Sequence, residues 1–181
     1  LVLACDQLQD DAVEELRKRE VDVLHLTPRT LEDVLGSFLE LGSCLGVPEK
    51  AESLVSRFRQ TLDVVDIDGR VYCEEWTDPP MASGNWVPGL VEEAGGEYLL
   101  EEGERSREVS AQKLEAFDPD HIFLNVCGAG RNVSPETVLE RKDWQNIEAV
   151  SNGNVAVLDD SVLNQPSPRL LEGVRSMATE I

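Results

Sequence analysis

Residues 74 to 86 read Glu-Glu-Trp-Thr-Asp-Pro-Pro-Met-Ala-Ser-Gly-Asn-Trp, and this short stretch holds two of the chain's three tryptophans, two adjacent prolines and one of its two methionines. Indole faces offer large flat contact area, and proline fixes its backbone in advance, so little entropy is lost when such a segment meets a ligand. The chemistry these residue types suit is recognition of a flat, largely neutral molecule rather than the making of bonds. The stretch taken alone is equally compatible with Trp76 and Trp86 forming local core beneath a proline-rich turn. Two further segments share its character: Cys127-Gly128-Ala129-Gly130 and Asn164-Gln165-Pro166-Ser167-Pro168-Arg169. Gly128 and Gly130 let backbone approach a ligand closely, but no Lys-Ser/Thr follows, which excludes a phosphate loop. Asn164 can both donate to and accept from amides, while Arg169 is expected to pair with a carboxylate of its own lobe.

Signatures of catalysis are missing. The chain has no G-x-S-x-G elbow and no H-E-x-x-H, and its two histidines, His25 and His121, sit on alternating segments with no partner set. Adjacent acids recur at Asp10-Asp11, Glu74-Glu75 and Asp159-Asp160, as chance predicts in a chain with 36 carboxylates. Asp159-Asp160, just after a strand, is the best of them for a metal or for acid–base work. No catalytic residue and no metal ligand is assigned. Cys5, Cys44, Cys73 and Cys127 lie far apart with no C-x-x-C pair, against a zinc or redox motif. Cys5, Cys73 and Cys127 fall at or near strands, where cysteine is expected to act as a small buried hydrophobe.

The elements that must position these segments alternate strand and helix, the pattern of an α/β fold with a mainly parallel sheet. Strands are predicted over 1–4, 21–26, 70–74, 121–126 and 155–158. Helices are predicted over 10–19, from Thr30 to about Gly46, over 48–65, 86–94, 110–117 and 134–141, and from Pro168 onward. Thr30 with Asp33 three residues on has the form of a capping box, and Leu31, Val34, Leu35, Phe38, Leu39 and Leu41 make an apolar stripe behind it. Pro48 opens the next helix at a first position, with Ala51, Leu54, Val55, Phe58 and Leu62 on one face. At 1.5 Å per residue that helix is about 27 Å long, a rigid strut rather than a linker. The division that follows is a partial first lobe over 1–47, a connecting helix over 48–67 and a second α/β lobe over 68–181. In open sheets of this kind ligands sit outside the carboxyl ends of the strands, which is where all three candidate segments begin.

Composition narrows the partners. The formal net charge is −20, from 36 acids against 16 basic residues, and such a field repels nucleic acid and anionic membrane. Carboxylates spread over every segment resemble a halophile's surface, expected to need salt for stability because screening shortens to about 3 Å at 1 M. No apolar run approaches the roughly 18 residues of a membrane span. The opening Leu1-Val2-Leu3-Ala4-Cys5 reads as a buried strand, so residue 1 is not expected to be the natural start, and a leader or folded material ahead of it would lie outside this sequence.

From Arg70 the chain carries R-V-x-x-x-E-W-x-D-P-P, S-G-x-W-V-P and A-G-G-E, followed by Arg105-Ser106-Arg107-Glu108-Val109-Ser110, Asp118-Pro119-Asp120, Cys127-Gly128 and Asn164-x-Pro166-x-Pro168-Arg169. In this order they resemble the second lobe of cobalamin-binding substrate-binding proteins of ABC importers, the class with two Rossmann-like lobes joined by one long helix. The resemblance implies a monomeric extracellular or periplasmic receptor, anchored as a lipoprotein, that passes a corrinoid to the transmembrane subunits of a permease. Cobalamin would then be transported ligand and not catalytic cofactor. Carried over, the ligand-facing positions are Glu75, Trp76, Pro80, Met81, Ser106, Arg107 and Asn164, with Trp86, Cys127 and Gly128 beside them. The acid that pairs with permease arginines in related importers corresponds here to Gln112, which shifts docking to another acid such as Glu108 or Glu115. The opposing wall is expected to lie largely outside this chain, with Asp6 its one candidate.

Two other readings stand beside this one. A ferric-siderophore or haem receptor shares the two-lobe plan but needs cations for an anionic chelate, and the candidate loops offer only Arg107 and Arg131. A cytoplasmic enzyme or corrinoid-handling protein would share the fold without the export.

Overall fold

The computed structural model describes residues 1–181. The chain opens with β1 (Val2–Ala4), α1 (Asp10–Lys18) and β2 (Val23–His25), and the two strands pair in parallel with Val2 opposite Val23. Two long helices follow, α2 (Leu31–Cys44) and α3 (Pro48–Leu62), packed against each other. The start of α2 is dictated locally: Thr30 accepts from the Asp33 amide, and the Asp33 carboxylate accepts from the Thr30 and Arg29 amides. Its end is set by Gly46 at φ +70°, which no β-carbon obstructs. α3 stops three residues before the predicted end, giving a rod of about 22 Å.

The second unit is a mixed sheet. β3 (Arg70–Thr77) runs through its middle, followed by β4 (Pro80–Ala82), α4 (Val87–Glu93), β5 (Glu97–Tyr98), β6 (Arg107–Glu108), α5 (Ala111–Phe117) and β7 (His121–Leu124). α6 (Glu136–Leu139), α7 (Glu148–Asn152), β8 (Val155–Val157) and α8 (Leu170–Glu180) complete it. The strand order is β6-β4-β3-β7-β8, with β5 pairing the first half of β3. Because β3, β7 and β8 are mutually parallel, their carboxyl ends lie along one edge. At the opposite end the Asp120 carboxylate accepts from the Arg70 amide at 2.7 Å and from its guanidinium at 2.9 and 3.1 Å, tying β3 to the start of β7.

One apolar core of 34 buried residues fills this unit, from Tyr72, Ile122 and Phe123 on the sheet to Leu90, Leu114, Leu170 and Met177 on its helices. The same core takes in Leu31, Val34 and Leu35 of α2 and Phe58 and Leu62 of α3, so both long helices are seated on the second unit. Of the predicted stripe of α2, Leu39 is turned to solvent. Ala4 and Val13 are buried between the first strands and α1, outside that core.

Two expectations are corrected. Residues 74–86 are not a loop throughout: β3 continues to Thr77 and folds back as β4, a hairpin with Trp76 opposite Met81 and Thr77 opposite Pro80. Of the cysteines only Cys73 is buried, while Cys5, Cys44 and Cys127 are exposed. Cys73 lies within β3 under the helices, whereas Cys5 and Cys127 fall just past strand ends, where the layers no longer cover them.

Candidate functional site

A cavity of about 760 Å³ lies between the two units, at the edge where the second sheet's strands end. From the first unit come Leu3 and Cys5–Leu8 after β1, Leu26–Arg29 after β2, and Ser37, Phe38 and Leu41 of α2. From the second come Glu75, Met81, Asn85 and Trp86 of the hairpin and its exit, Arg105 and Ser106 before β6, and Asn164–Ser167 before α8. The first unit thus supplies more than half of the wall, against the expectation that this wall lay elsewhere. A second hollow of about 440 Å³ beside α2 is lined almost wholly by polar groups, among them Glu32, Asp33 and Glu40.

Local structure explains how the hairpin serves the cavity. The register slips between Glu74 and Trp76, a bulge that leaves Glu75 as the extra residue. Glu74, before the bulge, is fully buried and accepts from Arg141 at 2.7 and 2.8 Å, with the Tyr72 hydroxyl at 3.3 Å. After the bulge Trp76 and Met81 are cross-strand partners and share one face, the face on which Met81 lines the cavity. Trp76 is 47% exposed, its indole nitrogen donating to the Asp78 carbonyl, and stands beyond the cavity's own wall. Trp86 is nearly buried and donates to the Leu163 carbonyl at 2.9 Å, so it is at once core and cavity wall.

Of the ten predicted ligand-facing residues, Glu75, Met81, Trp86, Ser106 and Asn164 line the cavity. Pro80 is half-buried at the hairpin turn, and Arg107 is exposed and paired with Glu104 at 2.8 Å. Cys127 flanks the wall, its Sγ accepting from the Asn164 amide at 3.0 Å. Gly128, at φ +73°, does not offer its amide to the cavity: the Gly128 and Gly130 amides both donate to the Asp160 carboxylate, at 2.9 and 3.0 Å. That also places Asp160 as an anchor of its own loop, while Asp159 caps the turn that follows through the Ser161 amide. Arg169 pairs with Glu172 of its own lobe at 3.1 Å.

The polar side of the wall is organised from beneath. Buried Asn125 donates to the Ser83 hydroxyl at 2.9 Å and to the Asn164 carbonyl oxygen at 2.6 Å, and Asn164 donates back to the Asn125 backbone carbonyl at 2.8 Å. The Asn125 side-chain oxygen is buried with no partner, an unmet acceptor next to the residue it holds in place. Burial pushes the Glu75 carboxyl above its ordinary range, only partly offset by the neighbouring Ser106 hydroxyl. The Cys127 thiol, partly desolvated although the residue is exposed, is pushed up as well, first by that desolvation and then by the neighbouring Glu75 charge.

Sequence reasoning missed Gln7, Arg29, Asn85 and Arg105, the residues that join the two units across the cavity. Arg29 donates to the Asn85 side-chain oxygen at 2.7 Å and to the Gln7 side-chain oxygen at 2.9 Å, and Arg105 donates to that same Gln7 oxygen at 2.7 Å. Arg29 and Arg105, and not Arg107 or Arg131, are therefore the basic residues of the cleft. Strand alternation gave no signal for this choice: it would put Arg105 and Arg107 on one side and Ser106 on the other, whereas the cavity takes Arg105 and Ser106. What the arrangement can do chemically is enclose an apolar body against Leu3, Leu26, Phe38, Leu41, Met81 and Trp86 and meet its polar rim with carboxyl, amide, hydroxyl and guanidinium groups.

Among known proteins, residues 1–162 match the family described as periplasmic binding protein. A cobalamin-binding protein of Halobacterium salinarum is 23% identical over 196 residues, a match covering 98% of this chain and 52% of that protein. The chain thus spans about half the length of the curated relatives it matches. Among solved structures, the periplasmic vitamin B12 binding protein BtuF of Vibrio cholerae superposes with a TM-score of 0.68 at 17% identity, covering 98% of this chain and 72% of that one. A periplasmic heme binding protein of Pseudomonas aeruginosa superposes with a TM-score of 0.75 at 20% identity, covering 98% and 70%.

Proposed function

The chain belongs to the periplasmic binding protein family, and from that premise we propose that it captures cobalamin or a related corrinoid outside the cytoplasm and hands it to the permease of an ABC importer. The observation that carries this reading is the cavity of about 760 Å³ walled by both units, with eight apolar side chains on its faces and amide, hydroxyl and carboxyl groups at its rim. A corrin matches such a wall, having broad apolar faces and a rim of amide side chains. The name of the halobacterial relative agrees with it. The residues of the site are Glu75, Met81, Trp86, Ser106 and Asn164, with Trp76 extending the face of Met81 beyond the mouth.

The rest of the proposal follows from this role. The protein works as a monomer of two lobes, divided at α3, held at the membrane by a lipid anchor. It docks on the permease through exposed acids such as Glu108 or Glu115, since Gln112 stands where related importers carry a carboxylate. Catalysis has no part in this role, and the corrinoid is cargo. Titrating the full chain with cobalamin, followed by the visible spectrum and by tryptophan fluorescence, tests the reading. The expected result is saturable quenching with one ligand per chain, weakened in Met81→Ala and Asn164→Ala. Absence of quenching and of any spectral change at millimolar ligand would refute it.

The specific observation favouring a second reading, a haem or ferric-siderophore receptor, is the presence of Arg29 and Arg105 in the cavity wall. Haem run in parallel through the same titration decides between the two cargoes.

A further inference from the structure

The arginine–carboxylate pairs of this chain engage Arg19, Arg59, Arg70, Arg107, Arg141 and Arg169. Arg29 and Arg105 are outside that set, as are Arg17, Arg57, Arg131 and Arg175, although acids outnumber basic residues by more than two to one. Both guanidiniums instead reach one neutral atom, the side-chain oxygen of Gln7, at 2.9 and 2.7 Å. Their nitrogens therefore lie less than about 6 Å apart with no negative charge between them, which like charges resist. Gln7 and Asn85 each turn the carbonyl oxygen to an arginine, and the NH2 group of neither finds an acceptor within the protein. Gln7, Arg29, Asn85 and Arg105 all line the cavity. The carboxylates in the same wall pair with neither arginine: Asp6 accepts from the Leu8 amide, and the Glu75 carboxyl forms no ion pair.

A ring of donors with two uncompensated cations and no free acceptor calls for an occupant that is acceptor-only and negative. We propose that Gln7, Arg29, Asn85 and Arg105 form an oxyanion subsite of the cavity, which takes a phosphate or carboxylate arm of the bound ligand and makes that arm a requirement for tight binding. The inference rests on the receptor reading above and sharpens it: the cargo is an amphiphile with an apolar body and an anionic arm. The arm is a phosphodiester in a complete corrinoid and a propionate in haem. Because Arg29 and Gln7 belong to the first unit and Asn85 and Arg105 to the second, an oxyanion held there is bonded by both units at once. It replaces the amide oxygen that now holds the two arginines together.

The test compares cobalamin, cobinamide (the corrinoid ring without the phosphodiester-linked nucleotide) and haem, each titrated calorimetrically into the full chain, its Arg29→Gln and Arg105→Gln variants and Arg105→Lys. Charge-assisted hydrogen bonds of this kind are worth about tenfold to hundredfold in affinity. The wild type is expected to bind cobalamin or haem at least tenfold more tightly than cobinamide. Each Arg→Gln variant is expected to lose that preference, its affinity for cobalamin and haem falling at least tenfold more than its affinity for cobinamide. Arg105→Lys should retain part of the preference, and inorganic phosphate should compete in the wild type alone. Arg105 is exposed, so its variants report on binding and not on folding, which a melting curve verifies. A preference unchanged by the variants, or equal losses for all three ligands, overturns the subsite and leaves the receptor reading standing. Failure of the wild type to bind any of the three overturns the receptor reading, and the subsite falls with it.

Discussion

Gly84 decides whether the cavity wall can form. A β-carbon built at this position lies 2.4 Å from the Glu104 carbonyl oxygen, 2.4 Å from the Ser106 nitrogen and 2.5 Å from the Arg105 carbonyl carbon. All three are backbone atoms, so no flexible side chain can swing aside. Restoring ordinary contact in Gly84→Ala requires the 104–106 segment to retreat by about 1 Å. Overpacking of this kind costs about 1–3 kcal/mol. The retreat also loosens two hydrogen bonds that seat the segment, Gly84 amide to Ser106 Oγ and Asn85 amide to Glu104 carbonyl, worth about 1 kcal/mol together once partial survival is allowed. The sum, about 2–4 kcal/mol, lowers the melting temperature of a chain this long by roughly 5–15 °C. The assay is urea denaturation followed by circular dichroism, with Gly36→Ala as its control. A β-carbon at Gly36 meets nothing within 4 Å on the exposed face of α2, so that substitution should gain about 0.5–1 kcal/mol from helix propensity. Corrinoid affinity at a temperature where both variants are folded should fall in Gly84→Ala and hold in Gly36→Ala. If Gly84→Ala matches the wild-type midpoint, the 104–106 segment is not braced by that glycine and the account of the wall fails.

Glu74→Leu should destabilise by about 3–5 kcal/mol, because the Arg141 guanidinium, stacked 4.1 Å over the Trp144 ring, is left without the buried carboxylate it serves. Glu74→Leu combined with Arg141→Met should recover most of that loss, and a cycle with purely additive losses would contradict the pairing. Asp33 and Asp120 are held below the usual carboxylate range, Asp33 chiefly by the Thr30 and Arg29 amides and Asp120 chiefly by the Arg70 guanidinium. A carboxylate whose folded pKa is depressed gives stability that is present above its unfolded value and lost as pH falls through the folded one. Asp120→Asn should therefore be less stable at neutral pH and show a shallower acid limb below about pH 4; identical limbs in the two proteins would exclude the pairing as its source. With a net charge of −20, the melting temperature should climb steadily from about 0.1 to 2 M NaCl, and a maximum at low ionic strength would rule out a salt-dependent surface.

Features specified by near neighbours were legible in the sequence. The Thr30–Asp33 capping box, the turn at Gly46, Pro48 opening α3 and the alternation from β7 through α8 each depend on residues within about four positions. Their hydrogen bonds form whatever the rest of the chain does. The hairpin at 74–86 was harder, because prolines and glycine signal a break. That Thr77 and Pro80 nonetheless stay in register depends on β3 being flanked by β7 on its other side. The bulge at Glu75, which sends Glu74 to Arg141 and Met81 to the cavity, has no local signature at all.

From sequence alone came the α/β class and the strand-end segments, because periodicity and turn chemistry are local properties and strand ends are where such sheets carry ligands; the family resemblance added five of the 22 residues that line the cavity. The tertiary structure alone decided which polar groups face the cleft. Gln7 meets Arg105 across 98 positions of sequence and Arg29 meets Asn85 across 56, contacts created by the seating of α2 and α3 on the second unit's core. It also turned the Gly128 amide to Asp160, 32 positions on, since a polar group takes whichever partner the packed chain brings within about 3 Å, and no spacing rule anticipates that choice.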